Sequence, residues 1–479
     1  MLVALFQFPL RRFFEWALLL PLAMPAYVLA YAATDFLQFS GPLQTLIREA
    51  TGAKGALWPD VRSLWGAALL FTLCLYPYVY LLTRTALSER AVRLMEAARL
   101  LGAGARRRIG EVALPLARPA IAAGVALALM ETLADYGVGA YFGLTTFTTG
   151  IYRAWLSMND RIAAAQLASM LLLVVALLLW LERQAQRRLQ FTNTRLSASQ
   201  GTEARPIVLR GWRAAAAVVA CALPLLGGFV LPVLVLLRLL WGTMAGSAPS
   251  GDDGGTPAGW LDERFIQWAW TSLKLSTLAA GLAVLAALSM SAAARLATTP
   301  RQVRWARGAL TTVSLGYAVP GAVIAVGILL PVAWVQAVWP ELSLPTLVTG
   351  TAFGLVYAYL VRFSAVALQS IEAGYARVPV SIDETARLMG ASRLRVFLVL
   401  HLPLLRRSAL AAGLLVFVDV MKELPATLVL RPFNSDTLAV VAYQFARDER
   451  LGEAALPSLA IVAVGLIPVL MLSRSLRRG

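Results

Sequence analysis

Four carboxylates stand inside apolar runs, where a charge is costly. Glu131 and Asp135 lie four residues apart, which puts them on one face of a helix. Asp419 and Glu423 repeat that pair 288 residues later, with Lys422 beside them. Counted from residue 120 at about 1.5 Å per residue, Asp135 falls past the membrane midplane towards the outer side. Intramembrane carboxylates usually face a cavity or a partner. One reading is a translocation route or gate formed by Glu131, Asp135, Tyr136, Asp419, Lys422 and Glu423, suited to a hard cation that prefers oxygen ligands. A second is a structural ion pair, such as Lys422 with an acid of the other half. A third places these residues just outside the membrane, where they carry little meaning.

A second constellation also recurs at 288 residues. Glu96-Ala-Ala-Arg-Leu-Leu-Gly102 is followed by Leu114-Pro115, and Glu384-Thr-Ala-Arg-Leu-Met-Gly390 by Leu402-Pro403. Glu to Gly is six residues in both and Gly to Pro thirteen. Arg93 to Leu101 is a run of good helix formers that Gly102 breaks. A second short polar helix follows through Arg106–Glu111, and Pro115 is expected to end it before the next span. An ordinary basic loop would account for one such segment. Two with identical spacing point to a pair of docking elements for a two-fold partner.

Glu-Ala-Ala with Gly six residues after the Glu, then Leu-Pro, is similar to the cytoplasmic coupling loop of type I ABC importer permeases. The resemblance covers both halves and most of the chain. It implies that each short helix docks into a groove on an ATP-binding subunit. Glu96, Ala98 and Gly102 would form one coupling site, and Glu384, Ala386 and Gly390 the other, with Thr385 replacing the middle alanine. The outer segments 135–155 and 421–433 closely resemble those of fused ferric-iron permeases, and fused thiamine permeases share the architecture. The implied partners are two copies of an ABC ATPase, which carry ATP and Mg, and a periplasmic substrate-binding protein. The implied location is the bacterial inner membrane, and no cofactor or metal is assigned to this chain.

The elements that must position these residues are membrane helices. The 479 residues are 59% hydrophobic and only 14% charged, and apolar runs of spanning length recur. The absence of period-two alternation argues against a β-barrel. The expected fold is an all-α polytopic bundle of about ten helices, near 13–33, 64–83, 119–137, 163–181, 213–240, 268–294, 308–335, 346–366, 408–424 and 455–473. Alternate loops then hold 31 of the 43 Lys and Arg, against nine in the opposite loops. The basic set, which contains both motif loops, is cytoplasmic by the positive-inside rule. The net charge of +17 thus orients the chain in a lipid bilayer and does not indicate nucleic acid.

Six expected helices separate the motif loops, so the halves form two parallel pseudo-repeats. The first transmembrane domain is taken as 1–183, the linker as 184–212 and the second domain as 213–479. The linker carries Ser197, Ser199, Gly201 and Pro206. The helices near 213–240 and 268–294 have no counterpart in the first half, so either they are lacking or the true start lies upstream. The N-terminal run could pass for a secretory signal. A retained helix is preferred, because Pro25-Ala-Tyr-Val-Leu-Ala30 resembles Pro320-Gly-Ala-Val-Ile-Ala325.

Other features exclude chemistry. A phosphate-binding loop needs Gly-Lys followed by Ser or Thr, and Lys54, Lys274 and Lys422 precede Gly, Leu and Glu. ATP must therefore be hydrolysed by a separate subunit, and the chain is read as a transporter rather than an enzyme. Cys74 and Cys221 are read as packing residues and His401 as structural. Asp252 and Asp253 lack the spacing of a calcium loop and are read as solvated. The competing function is an ion-gradient-driven secondary transporter or channel, which fits the acids but not the coupling-loop spacing.

Overall fold

A computed structural model describes residues 1–87, 92–193, 207–245 and 263–478 of the chain. Residues 194–206 of the linker, which include Ser197, Ser199, Gly201 and Pro206, and the Asp252-Asp253 loop lie outside the described residues. Among those described, eight helices are long and apolar enough to cross a membrane, or nine if one bent pair counts as a single span. The helix expected near 408–424 forms as Leu402–Met421, with Arg406, Arg407 and Asp419 giving it three charges.

Two expected helices are broken, and at equivalent places. The run 13–33 divides into Arg11–Ala23 and Ala26–Thr51, bent by 96°. The run 308–335 divides into Pro300–Leu315 and Gly321–Val338. Pro25 and Pro320 stand just before the second piece of each, at φ −61° ψ 141° and φ −59° ψ 142°. A proline cannot continue a helix across this point, because it lacks the donor and its ring clashes with the carbonyl four residues back. A short 3₁₀ turn precedes each break, Leu20–Ala23 and Gly316–Ala318.

Proline acts differently at the motif loops. Pro115 and Pro403 do not end the short helix. They sit in the first turn of Leu114–Ala134 and Leu402–Met421, which run on from the π-turns Arg108–Ala113 and Val396–His401. A third π-turn, Leu226–Val230, stands in the same position before Pro232. The wider turn takes up the clash that a proline makes with a regular helix.

The chain forms two compact units that differ from its sequential halves. One comprises Met1–Thr149, Leu173–Ser247 and Val462–Gly479, the other Gly150–Leu172 and Ala248–Ile461. In the first unit Leu64–Ala86 packs along Leu114–Ala134. A two-residue parallel pairing, Phe6–Gln7 with Ile207–Val208, ties the chain start to the segment after the linker. In the second unit Phe353–Tyr375 is central: 67% of its apolar window is buried, against 22–44% for the other spans. Ala279, Ala283 and Ala287 line one face of Glu263–Arg295, at a spacing of four, and lie in the core with Leu355, Tyr359, Leu368 and Ile371. Small residues at that spacing let helices approach closely within a membrane.

Candidate functional site

The two motif loops adopt the same backbone. Val92–Leu100 and Val380–Leu388 are helices, each followed by a glycine in the left-handed region, Gly102 at φ 81° and Gly390 at φ 79°. The amide of Gly102 donates to Arg99 O at 3.0 Å, and that of Ala103 to Ala98 O at 2.9 Å. Gly390 donates to Arg387 O at 2.9 Å, and Ala391 to Ala386 O at 3.0 Å. Both are Schellman caps, which need a residue that tolerates positive φ. A Cβ at either glycine would meet nothing within 4 Å, so conformation and not space selects glycine.

The other motif residues divide by exposure. Ala386 is buried against Leu296 and Val396, whereas Ala98 is half-buried. Glu384 is exposed, and the Thr385 hydroxyl donates to Ser381 O at 2.8 Å within its own helix. The Glu96 side chain lies outside what is described. Sequence reasoning passed over the residues that stand out most. Leu100 and Leu101 are 89% and 87% exposed, and Leu388 and Met389 are 89% and 77% exposed. Their signal was present: an apolar pair directly before the glycine, in both copies of an otherwise polar loop.

The supports beneath the turns differ. In the first unit Met95, Leu87 and Ala113 are buried together with Leu5. In the second, Asp383 accepts from Arg295 Nε at 2.6 Å and lies 2.8 Å from His401 Nε2. His401 Nδ1 is 3.0 Å from the Tyr375 hydroxyl. Burial alone would push the Asp383 carboxyl up; the bonds from His401 and Arg295 outweigh it and hold the group below the usual carboxylate range. His401 is structural, as expected from the sequence, but its partners were not legible there.

The acids form a different kind of site. Asp135 follows Leu114–Ala134, and its Oδ1 accepts from the Val138 amide at 2.8 Å, at the start of the short helix Gly137–Tyr141. The Thr148 hydroxyl donates to Asp135 O at 2.6 Å. Glu423 repeats this role 288 residues on. Its Oε1 accepts from the Ala426 amide at 2.9 Å and its Oε2 from the Thr427 amide at 3.0 Å, at the start of Pro425–Leu430. The Thr427 hydroxyl donates to Glu423 Oε2 at 2.5 Å and lies 2.8 Å from the Tyr359 hydroxyl.

Arg362 Nη1 approaches Glu423 Oε1 at 3.5 Å. Arg362 falls near the end of the helix expected at 346–366; the helix Phe353–Tyr375 continues past it and buries it. Gly321 faces this pair: a Cβ there would fall 2.8 Å from Glu423 Oε1 and 3.0 Å from Arg362 Nη1. Lys422 lies 3.0 Å from Asp419, one turn back in its own helix. Glu131, Asp135 and Tyr136 are half-buried. Among the described residues no three His, Cys, Asp or Glu are grouped to hold a metal ion.

Residues 1–191 match the family model described as binding-protein-dependent transport system inner membrane component. The chain is 25% identical to the Fe(3+)-transport system permease protein FbpB 2 of Haemophilus influenzae, over 97% of this chain and 83% of that protein. It is 28% identical to the putative 2-aminoethylphosphonate transport system permease protein PhnV of Salmonella typhimurium, over 56% of this chain and 96% of that one. Against the molybdenum transport system permease protein ModB of Escherichia coli the identity is 29%, over 39% and 90%.

Proposed function

We propose that this chain is the multi-pass permease subunit of an ABC importer, related to the binding-protein-dependent transport inner-membrane components that its first 191 residues match, and that it carries ferric iron across the bacterial inner membrane. An ATPase and a periplasmic binding protein are the partners with which such a permease works. Two ATPase copies dock, one at each motif turn on the cytoplasmic side, and hold the ATP and Mg. The repeats 1–183 and 213–479, joined by the linker 184–212, act as the two transmembrane domains.

The observation that carries this reading is the pair of glycine-capped turns with one backbone geometry. Each presents two bare apolar side chains, Leu100 with Leu101 and Leu388 with Met389. Exposed apolar side chains on a polar, arginine-rich segment have no use in lipid or water; they suit a protein groove. Glu96, Ala98 and Gly102 shape one docking turn, and Glu384, Ala386 and Gly390 the other.

ATP-driven movement of the docked subunits shifts the helices between inward-open and outward-open states. This reading assigns Glu131, Asp135 and Tyr136 in one unit, and Asp419 and Lys422 in the other, to the transport route, and Glu423 fixes the short helix Pro425–Leu430 of its own unit. The substrate assignment draws on the length over which the chain resembles an Fe(3+)-transport permease, 97% of its residues.

The test is copurification of an ATPase with the tagged chain, followed by uptake of labelled ferric iron and of thiamine in cells lacking their own systems. A bound ATPase and iron uptake support the reading. Thiamine uptake without iron uptake would overturn the substrate. Uptake driven by an ion gradient with no ATPase bound would overturn the mechanism.

A further inference from the structure

The two docking turns match at the surface and differ underneath. Leu87, Met95 and Ala113 of the first copy correspond, 288 residues on, to Tyr375, Asp383 and His401. The first three form part of an apolar cluster. The second three are also buried, but they form a polar chain: the Tyr375 hydroxyl, His401 and Asp383, continued by Arg295. Arg295 then donates to three carbonyls, Tyr375 O at 3.1 Å, Val378 O at 2.7 Å and Pro379 O at 3.1 Å. The guanidinium therefore ties together the end of Glu263–Arg295, the end of Phe353–Tyr375 and the docking helix Val380–Leu388.

Such a network adds little net stability over apolar packing, because desolvating the charges offsets most of their attraction. It is directional, however. Apolar side chains of the right size tolerate rearrangement, whereas a buried charge moved off its partner is left unpaired, which is strongly disfavoured. The first docking helix can slide on its cluster, while the second is held at one place and one angle.

We infer that Asp383 is a positioning residue that fastens the second docking turn rigidly to the helices Glu263–Arg295 and Phe353–Tyr375, so that the two turns transmit force unequally and the second is the stiffer lever. The inference rests on the reading of these turns as ATPase docking sites.

The test uses the complete complex with its ATPase and binding protein, reconstituted in proteoliposomes with ferric iron as the probe. Asp383→Asn should leave the ATPase bound and still hydrolysing, while iron taken up per ATP falls by about five-fold or more. The set Asp383→Met, Tyr375→Leu and His401→Ala installs the residues found 288 positions earlier in the first copy, and Arg295→Gln removes the charge that they would leave unpaired. It should assemble and show the same loss. Unchanged uptake per ATP in either variant would overturn the inference, as would a fall in assembled complex with the ratio intact. Hydrogen exchange reads the same property directly. Amides 380–388 should exchange about ten-fold or more faster in Asp383→Asn, which leaves Arg295 without its carboxylate, than in the unaltered complex, and equal rates would overturn the inference. Failure of the docking reading is distinct, because the unaltered chain would then hold no ATPase at all.

Discussion

Gly102 and Gly390 hold the same left-handed backbone, φ 81° and 79°, at positions 288 residues apart. Each ends a nine-residue helix with the same two amide-to-carbonyl bonds, and each stands next to an exposed apolar pair. A local rule of helix termination, applied twice, thus produces two matched apolar knobs, one in each unit.

Because neither glycine is crowded, only the backbone angle resists substitution. Gly390→Ala should destabilise its turn by about 1–2 kcal/mol, and Gly390→Asn by less, since asparagine tolerates the left-handed region. Hydrogen exchange at the Gly390 and Ala391 amides, set against uptake, checks the order glycine, asparagine, alanine.

The exposed pairs are proposed to serve docking, and their exposure leaves them little part in folding. Replacing Leu100, Leu101, Leu388 and Met389 with serine should change thermal stability in detergent by only about 0.5 kcal/mol per site, while ATPase retention falls sharply. A variant that keeps its ATPase would show that the groove is contacted elsewhere.

Asp383 makes the second turn sensitive to acid. Its folded value lies below the usual carboxylate range, so its contribution to stability is complete above the unfolded value, near 4, and is lost as pH falls through the folded one. Exchange of amides 380–388, corrected for intrinsic rates, should rise as pH is lowered from about 7 to about 3. Asp383→Asn should remove that rise. The groups facing it are Arg295, His401 and, through the histidine, Tyr375.

Arg362 and Glu423 form a buried pair, so removing one partner costs more than removing both. Arg362→Leu should lower stability by about 3 kcal/mol or more, and adding Glu423→Gln should recover part of that. Thermal unfolding of the two variants in one detergent decides it.

Asp135→Asn offers a cleaner probe of the route, because the amide oxygen can still accept from Val138. The charge is lost, and the second acceptor oxygen becomes an NH2 donor. Uptake should fall while the complex stays assembled; normal uptake would return Asp135 to a capping role alone.

The sequence made the twin turns legible because a fixed spacing survives any uncertainty about tertiary structure. It also marked Pro25 and Pro320 as equivalent, yet the helices there were read as continuous. Apolar residues flank both prolines, and hydropathy over a span-length window does not register a 96° bend. The partners of His401 and Glu423 were hidden for another reason. Asp383 precedes His401 by 18 residues, and Arg362 precedes Glu423 by 61. Only packing brings such residues together, and no local pattern marks them. The exposed leucines were visible but read as part of a helical run, since exposure is a property of the fold.

Under the proposed function, the two glycine-capped turns are the handles by which an ATPase moves this chain. The most direct measurement is retention of the ATPase by a Gly102→Glu, Gly390→Glu double variant in a pull-down from membranes, with insertion of the chain confirmed in parallel. The account predicts an inserted chain that has lost its ATPase. An inserted double variant that retains the ATPase at the level of the unaltered chain would contradict it.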